Sequence, residues 1–289
     1  MSTKHTRSIA EELRRSFDRL TPTERKPARV LLANYPVAGL ETVAQFAARA
    51  EVSGPTILRL IGKLGFSSYP EFQQALREEL TARLQSPLAK TPGAGAGGDL
   101  LERMAEAVCD NIRVTLADLP RAEFDAVVAL LADPRRTIYL LGGRFGQALA
   151  EYFRAHLRVL RKGVQVISGQ PATWPETLLD LSPKDVLVVF DVRRYQTDVI
   201  TFAERAAARG TQIVLFTDQW LSPISKVAAH TLPVHITVPS RWDSAVATLT
   251  LIECLIATIT ERHWPQARSR IEQLEALRQT PDGAPLELP

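Results

Sequence analysis

The sequence predicts an all-α domain followed by a three-layer α/β domain with a five-stranded parallel sheet. Three features carry that expectation. Up to about Leu84, apolar residues recur at helical spacing and no strand-like run appears. The stretch SPLAKTPGAGAGGD, residues 86–99, is dominated by glycine, alanine and proline and can build no core. Beyond it, short β-branched runs alternate with helix-length segments, which is the pattern of a parallel sheet covered on both faces. The expected division is residues 1–85 for the helical domain, 86–99 for a flexible linker, 100–275 for the α/β domain and 276–289 for a C-terminal tail.

Each element has a local reason. In LTPTERKPARVLLANYP, Thr21 is placed to cap a helix, Pro22 suits its first position and Glu24 completes a capping box. Further helices are expected over 42–50, 53–64 and 69–84, and a helical lead-in reaches about Leu131. The strands are TIYLL, VQVI, VLVVF, QIVLF and HTLPVHI. Leu149, Phe153, Leu157 and Leu160 give the helix after the first strand a buried stripe, and Gly163 stops it. PSRWDSAVATLTLIECLIATI starts at a polar turn and becomes a long apolar helix.

Composition narrows the function classes. At 289 residues, 45% hydrophobic and 23% charged, the chain can build two real cores. The formal net charge is only +3, so any nucleic-acid surface must be local. No apolar run approaches the ~20 residues of a membrane helix, and the N-terminus MSTKHTRSIAEELRR has no signal-peptide segment, so a cytoplasmic protein is expected. Cys109 and Cys254 lack CxxC spacing and read as two reduced thiols. His5, His156, His230, His235 and His263 form no metal-ligand pattern; His230 and His235, an odd number of residues apart on one strand, point to opposite faces. No metal and no cofactor are expected.

The helical domain contains a specific pattern. Val43, Phe46, Ala47 and Ala50 fall at i, i+3, i+4 and i+7, a short turn follows at Val52, and Ile57, Leu60, Ile61 and Leu64 repeat the spacing. Two short helices with matched apolar faces make a helix-turn-helix, whose second helix can enter a major groove. Ser53 suits its N-cap, Gly54 and Pro55 its leading end, and Thr56, Arg59 and Lys63 the side turned from the core. Arginine can pair twice with guanine, and lysine suits phosphate. A plain helical hairpin with solvated charges is the alternative.

The run from LTPTERKPARVLLANYP through SGPTILRLIGKLGFSSYPEFQQALREEL resembles the N-terminal domain of RpiR-type bacterial transcription regulators, which join a helix-turn-helix to a sugar isomerase (SIS) domain. The distinctive parts are LTPTERK, the T-x-x-R-L-x-x-K-L-G-F segment and S-S-Y, and the C-terminal α/β pattern extends the likeness to nearly the whole chain. The resemblance implies that Ser53, Gly54, Pro55, Thr56 and Arg59 approach base edges, with Lys63, Ser67, Ser68 and Tyr69 near the DNA backbone. One departure is Glu51, where the family usually has glycine. A positive φ there would cost about 1 kcal/mol, and the carboxylate opposes DNA phosphate.

The resemblance also implies two phosphosugar loops, G-x-G-x-S after the first strand and S-x-S-G-x-T after a later one, offering hydroxyls and backbone amides to a phosphate. Here the first loop is Gly142, Gly143, Arg144, Phe145 and Gly146, so Arg144 replaces the second glycine and Gly146 the serine. The second lies in VVFDVRRYQTDV. Counted from Asp185, Asp191 and Arg193 take the serine positions, Arg194 the glycine and Gln196 the threonine, with Tyr195 between. A similar D-x-R-R-Y segment in some members implies a subgroup with a different effector. Three arginines could replace hydroxyls as anion donors, with Asp191 orienting one of them or binding a ligand hydroxyl or amine. Alternatively, Asp191 pairs with Arg194 and caps the next helix while Arg144 is simply solvated. Arg241, Trp242, Asp243 and Ser244 are further ligand candidates.

The expected function is a ligand-responsive transcription regulator without catalytic residues. Its partners would be a double-stranded DNA operator, a small anionic effector (phosphosugar or carboxylate) and further copies of itself in a homodimer or homotetramer, with no membrane. Two alternatives stand beside it. The SIS domain is a purely structural dimerisation module, or the protein is a phosphosugar isomerase. The isomerase needs a positioned base; neither loop supplies Glu or His, and Glu151 lies on the following helix.

Overall fold

A computed structural model describes residues 8–84, 88 and 99–278. The chain forms two compact units, Met1–Lys90 and Thr91–Pro289. Apart from Leu88 and Asp99, the expected linker lies outside the described residues. So does the expected tail beyond Arg278; its first residues belong to the last helix.

The first unit consists of α1 (Ile9–Ser16), α2 (Pro22–Ala33), α3 (Val37–Leu40), α4 (Val43–Arg49), α5 (Gly54–Lys63) and α6 (Tyr69–Leu84). Capping boxes at Ser8, Thr21 and Thr42 start α1, α2 and α4 by satisfying amides that a first turn leaves without partners. The apolar stripes of these helices converge. Leu31, Phe46, Ile57, Leu60, Phe72 and Leu76 are completely buried, and each contributes roughly 1.5–3 kcal/mol by leaving water.

The second unit opens with α7 (Leu100–Asp118) and α8 (Arg121–Ala132). There follow β1 (Ile138–Gly142), α9 (Gly146–Leu160), β2 (Val164–Val166), α10 (Trp174–Asp180), β3 (Val186–Phe190), α11 (Thr197–Ala208), β4 (Gln212–Asp218) and β5 (His230–Val234). The last described elements are α12 (Val246–Arg262) and α13 (Trp264–Arg278). The strands form one parallel sheet in the order β2-β1-β3-β4-β5.

Strand alternation separates two cores. Leu141, Leu187, Val189, Ile213 and Leu215 pack with Trp174 and Leu178 of α10 and with Val199, Phe202 and Ala203 of α11. On the opposite face Phe216 stacks on Phe190 at 4.7 Å and meets Phe153 of α9 edge-on at 6.4 Å. The expected stripe on α9 is narrower than the spacing suggests. Phe153 and Leu157 are buried with Ala150, while Leu149 and Leu160 are only half-buried. α12 begins at Val246, several residues after the polar turn, because 239–245 is loop.

Candidate DNA-reading helix and candidate ligand site

In the first unit, α4 packs on α5 through a turn in which Glu51 has φ of 53°. The left-handed conformation that favours glycine is therefore real here, and Glu51 adopts it at a cost of about 1 kcal/mol. Ser53 has N-cap backbone geometry, but its hydroxyl makes no capping bond to the helix; Ser53 Oγ lies 3.0 Å from Thr56 Oγ1.

The expectation that Thr56 lies on the exposed side of α5 is corrected. Thr56 is 2% exposed, and its hydroxyl accepts a bond from Arg59 Nη2 at 3.2 Å. Its position one turn before Leu60 explains this, since the unit's core is wide enough to include it. Arg59 itself is exposed, as are Ser53, Pro55, Ser67 and Ser68, with Gly54 half-buried. Lys63 is not a free cation: Nζ donates at 2.7 Å to Glu24 Oε2, whose side chain is 4% exposed. Burial pushes the Glu24 carboxyl up, but bonds from Lys63 and from Thr21 prevail and hold it below its ordinary value. Tyr69, expected near DNA phosphate, is also buried. Its hydroxyl donates to the carbonyls of Gly39 and Glu41 at 3.2 and 2.9 Å, and burial pushes its pKa up to about 12.

In the second unit the two expected loops meet where the sheet order reverses between β1 and β3, the position where open parallel sheets hold ligands. The first loop needs its glycines. A Cβ on Gly142 would lie 2.2 Å from the Gly146 carbonyl carbon, and one on Gly146 would lie 2.6 Å from Phe190 O. The loops are joined by a hydrogen bond from the Arg144 amide to Gln196 Oε1. Arg144 and Phe145 are exposed, with the Arg144 guanidinium 4.9 Å from the centroid of the Phe145 ring. Arg194 is exposed as well.

Arg193 departs from the expected free anion donor. Its side chain is 3% exposed, stacks 4.3 Å from the Trp220 ring centroid and grips the Asp243 carboxylate from two nitrogens, with Nε 3.0 Å from Oδ2. The pairing of Asp191 with Arg194 is replaced by another network. Asp191 is buried, accepts the Ser222 hydroxyl, and receives the Gln196 amide at 3.3 Å just before α11. Tyr195 donates at 2.7 Å to Asp218, which also accepts the amides of Arg193 and Trp220 at 2.6 and 2.9 Å. Burial raises the Asp218 carboxyl, and these bonds only partly oppose it.

Asp218 and Glu24 were not among the expected functional residues. For Asp218 the signal was present: LFTD ends β4 in an aspartate just as VVFD ends β3. Among the described residues no cluster of His, Cys, Asp and Glu could hold a metal, and no helix is long and apolar enough to cross a membrane.

A helix-turn-helix unit precedes, along the sequence, a parallel α/β unit whose loops meet at the switch point of the sheet. Residues 7–83 match the helix-turn-helix domain of the rpiR family, and residues 130–258 match the SIS domain. The chain belongs to the RpiR-type transcription regulators, with a DNA-binding helix-turn-helix and an SIS domain.

It is 27% identical over 273 residues to the HTH-type transcriptional regulator HexR of Pseudomonas aeruginosa, covering 89% of this chain and 90% of that protein. HexR of Escherichia coli is 22% identical over 287 residues, covering 94% and 95%. Among solved structures, it is similar in fold to the sugar isomerase domain of an RpiR transcription factor from Sphaerobacter thermophilus. The TM-score is 0.58 at 24% identity, covering 62% of this chain and 99% of that one. The Vibrio vulnificus NanR protein complexed with ManNAc-6P gives 0.55 at 18% identity, covering 93% and 98%.

Proposed function

We propose that this regulator is ligand-responsive and that its SIS domain senses a small anion at the carboxyl edge of the sheet. The observation that supports it best is the joining of the two switch-point loops through the Arg144 amide and Gln196, with exposed arginines on both. Arginines suit carboxylate and phosphate because their fork of donors is planar and always charged. Arg144 and Arg194 are assigned the anion, while Arg193 braces the site through Asp243. Gly142, Gly143, Phe145 and Gly146 shape the first loop; Asp191, Tyr195 and Gln196 hold the second.

In this reading residues 1–85 read DNA, 86–99 link, and 100–275 sense and dimerise; of the expected tail 276–289, the residues up to Arg278 continue α13. Arg59 reads base edges from α5, with Ser53, Gly54, Pro55, Ser67 and Ser68 along the DNA. Thr56 orients Arg59, and Lys63 and Tyr69 fix the helices instead of contacting phosphate. The protein acts as a homodimer or homotetramer whose heads must match half-sites about one helical turn or a multiple apart. An effector that binds two arrangements of those heads unequally changes operator affinity. An isomerase is disfavoured because the loops carry no Glu or His to act as base.

The second reading, a purely structural dimerisation module, draws support from the buried Arg193–Asp243 pair, which fills part of the loop region with protein contacts. Thermal unfolding of the full chain against a panel of phosphosugars and carboxylates separates the two. A binder at a hundred times its dissociation constant stabilises by ~3 kcal/mol. A shift with at least one compound supports sensing; no shift with any member supports the structural module.

A further inference from the structure

We propose that the ligand of this site is an aromatic carboxylate, bound between Arg144 and Arg194 and against the rings of Phe145 and Trp242; this rests on the sensing role proposed above. Phe145 is 66% exposed and Trp242 56% exposed, an unusual state for rings of that size. They come from different segments, the first loop and the stretch before α12, yet their rings meet edge-on with centroids 6.0 Å apart. The Arg144 guanidinium lies over the Phe145 face. Three tethers bring these groups to one place. The Arg144 amide holds Gln196, two residues beyond Arg194, and Arg193 holds Asp243, the neighbour of Trp242. The Phe145–Trp242 contact closes the third side.

The polar inventory argues against a polyol. A sugar is recognised by many hydrogen-bonding side chains, but most of those near these loops are engaged inside the protein. The buried Ser222 hydroxyl donates to Asp191 and the Tyr195 hydroxyl to Asp218, Gln196 Oε1 accepts the Arg144 amide, and Asp243 holds Arg193. The largest outward-facing groups are the cations Arg144 and Arg194 and the rings Phe145 and Trp242, with the smaller Thr197 and Asp198 exposed at the start of α11. Guanidinium groups take a carboxylate in paired hydrogen bonds, and exposed rings favour a flat apolar body in stacked or edge-on contact.

The test is calorimetric titration of the full chain with benzoate, phenylacetate and indole-3-acetate, beside acetate, glucose 6-phosphate and inorganic phosphate. At least one aromatic acid should bind about tenfold or more tightly than acetate and glucose 6-phosphate. Phe145→Ser with Trp242→Ser should remove that advantage, and Arg144→Gln with Arg194→Gln should abolish binding. All four side chains are exposed, so unliganded thermal unfolding reports whether each variant folds. Tighter binding of glucose 6-phosphate than of every aromatic acid would overturn the ligand class while leaving a sensor in place. Aromatic binding that survives both ring substitutions would show that the site is elsewhere. Binding of no panel member would overturn both this inference and the sensing role.

Discussion

Arg193 and Asp243 form a two-point ion pair that ties the loop after β3 to the segment before α12, with the guanidinium stacked on Trp220. Removing one partner of a buried pair leaves the other charge stranded, at about 3–5 kcal/mol. Asp243 retains 23% exposure, which places the expected loss for Arg193→Gln at the lower end, about 3 kcal/mol. Arg194→Gln, a change at an exposed site, should cost no more than about 0.5 kcal/mol. Urea unfolding of both variants checks this; equal losses would mean that the pair contributes little.

Glu24 and Lys63 carry the second prediction. One carboxylate caps α2 and accepts the ammonium at the end of α5, thereby tying α5 to α2. Lys63→Ala should weaken operator and random DNA together by misplacing α5. It should shift the salt slope by much less than the ~0.9 expected of a lost phosphate contact, because Lys63 is already neutralised. Glu24→Ala should cost about 1–3 kcal/mol by stranding buried donors. Because the Glu24 carboxyl lies below its ordinary value of 4.5 in the folded chain, its contribution is present above that pH and lost as pH falls through the lower folded value. Unfolding measured across the acid range should show a smaller acid loss for Glu24→Ala than for the parent.

Arg59 and Thr56 separate reading from orientation. Arg59→Ala should reduce discrimination between operator and random DNA by ~1–3 kcal/mol if it pairs with guanine. Thr56→Val keeps the buried shape but removes the hydroxyl that holds the guanidinium, so specificity should fall in the same direction by less. Competition binding with both duplexes reads the two effects. An unchanged ratio in Arg59→Ala would remove Arg59 from the reading face.

Tyr69 gives a pH signature. Its pKa is raised from 10 to about 12 in the folded chain, so its contribution to stability is fully present below pH 10 and lost as pH rises toward 12. The Tyr69→Phe variant should lack this part of the alkaline loss, and should be less stable at neutral pH by about 1 kcal/mol through the missing hydroxyl bonds. Parallel alkaline slopes for the two proteins would argue against it.

The fold was legible because its signals are local. Thr21, Pro22 and Glu24 start α2 as their capping chemistry requires, and the β-branched runs lie in the five strands. The site was legible only as far as position. Asp191, Arg193 and Arg194 do lie in the loop leaving β3, but their partners come from distant stretches, Ser222 and Asp243, that spacing along the chain cannot reveal. For the same reason the exposed side of α5 was misjudged at Thr56. Helical periodicity gives the direction of a face, while the width of the buried face depends on the neighbours that pack on it. Lys63 reads from the sequence as a phosphate contact, and only the fold reveals Glu24 beside it.

The proposed regulation couples an acid bound at Arg144 and Arg194 to operator affinity. The direct measurement is the affinity of the full chain for an operator selected from random duplexes, titrated with the acids that bind it. Wild type and Arg144→Gln with Arg194→Gln would be compared. The wild-type affinity should change by about 5–150-fold, the usual range of allosteric coupling. The double variant should keep the ligand-free operator affinity and lose the response. A response of the same size in the double variant would mean that the acid does not act through Arg144 and Arg194.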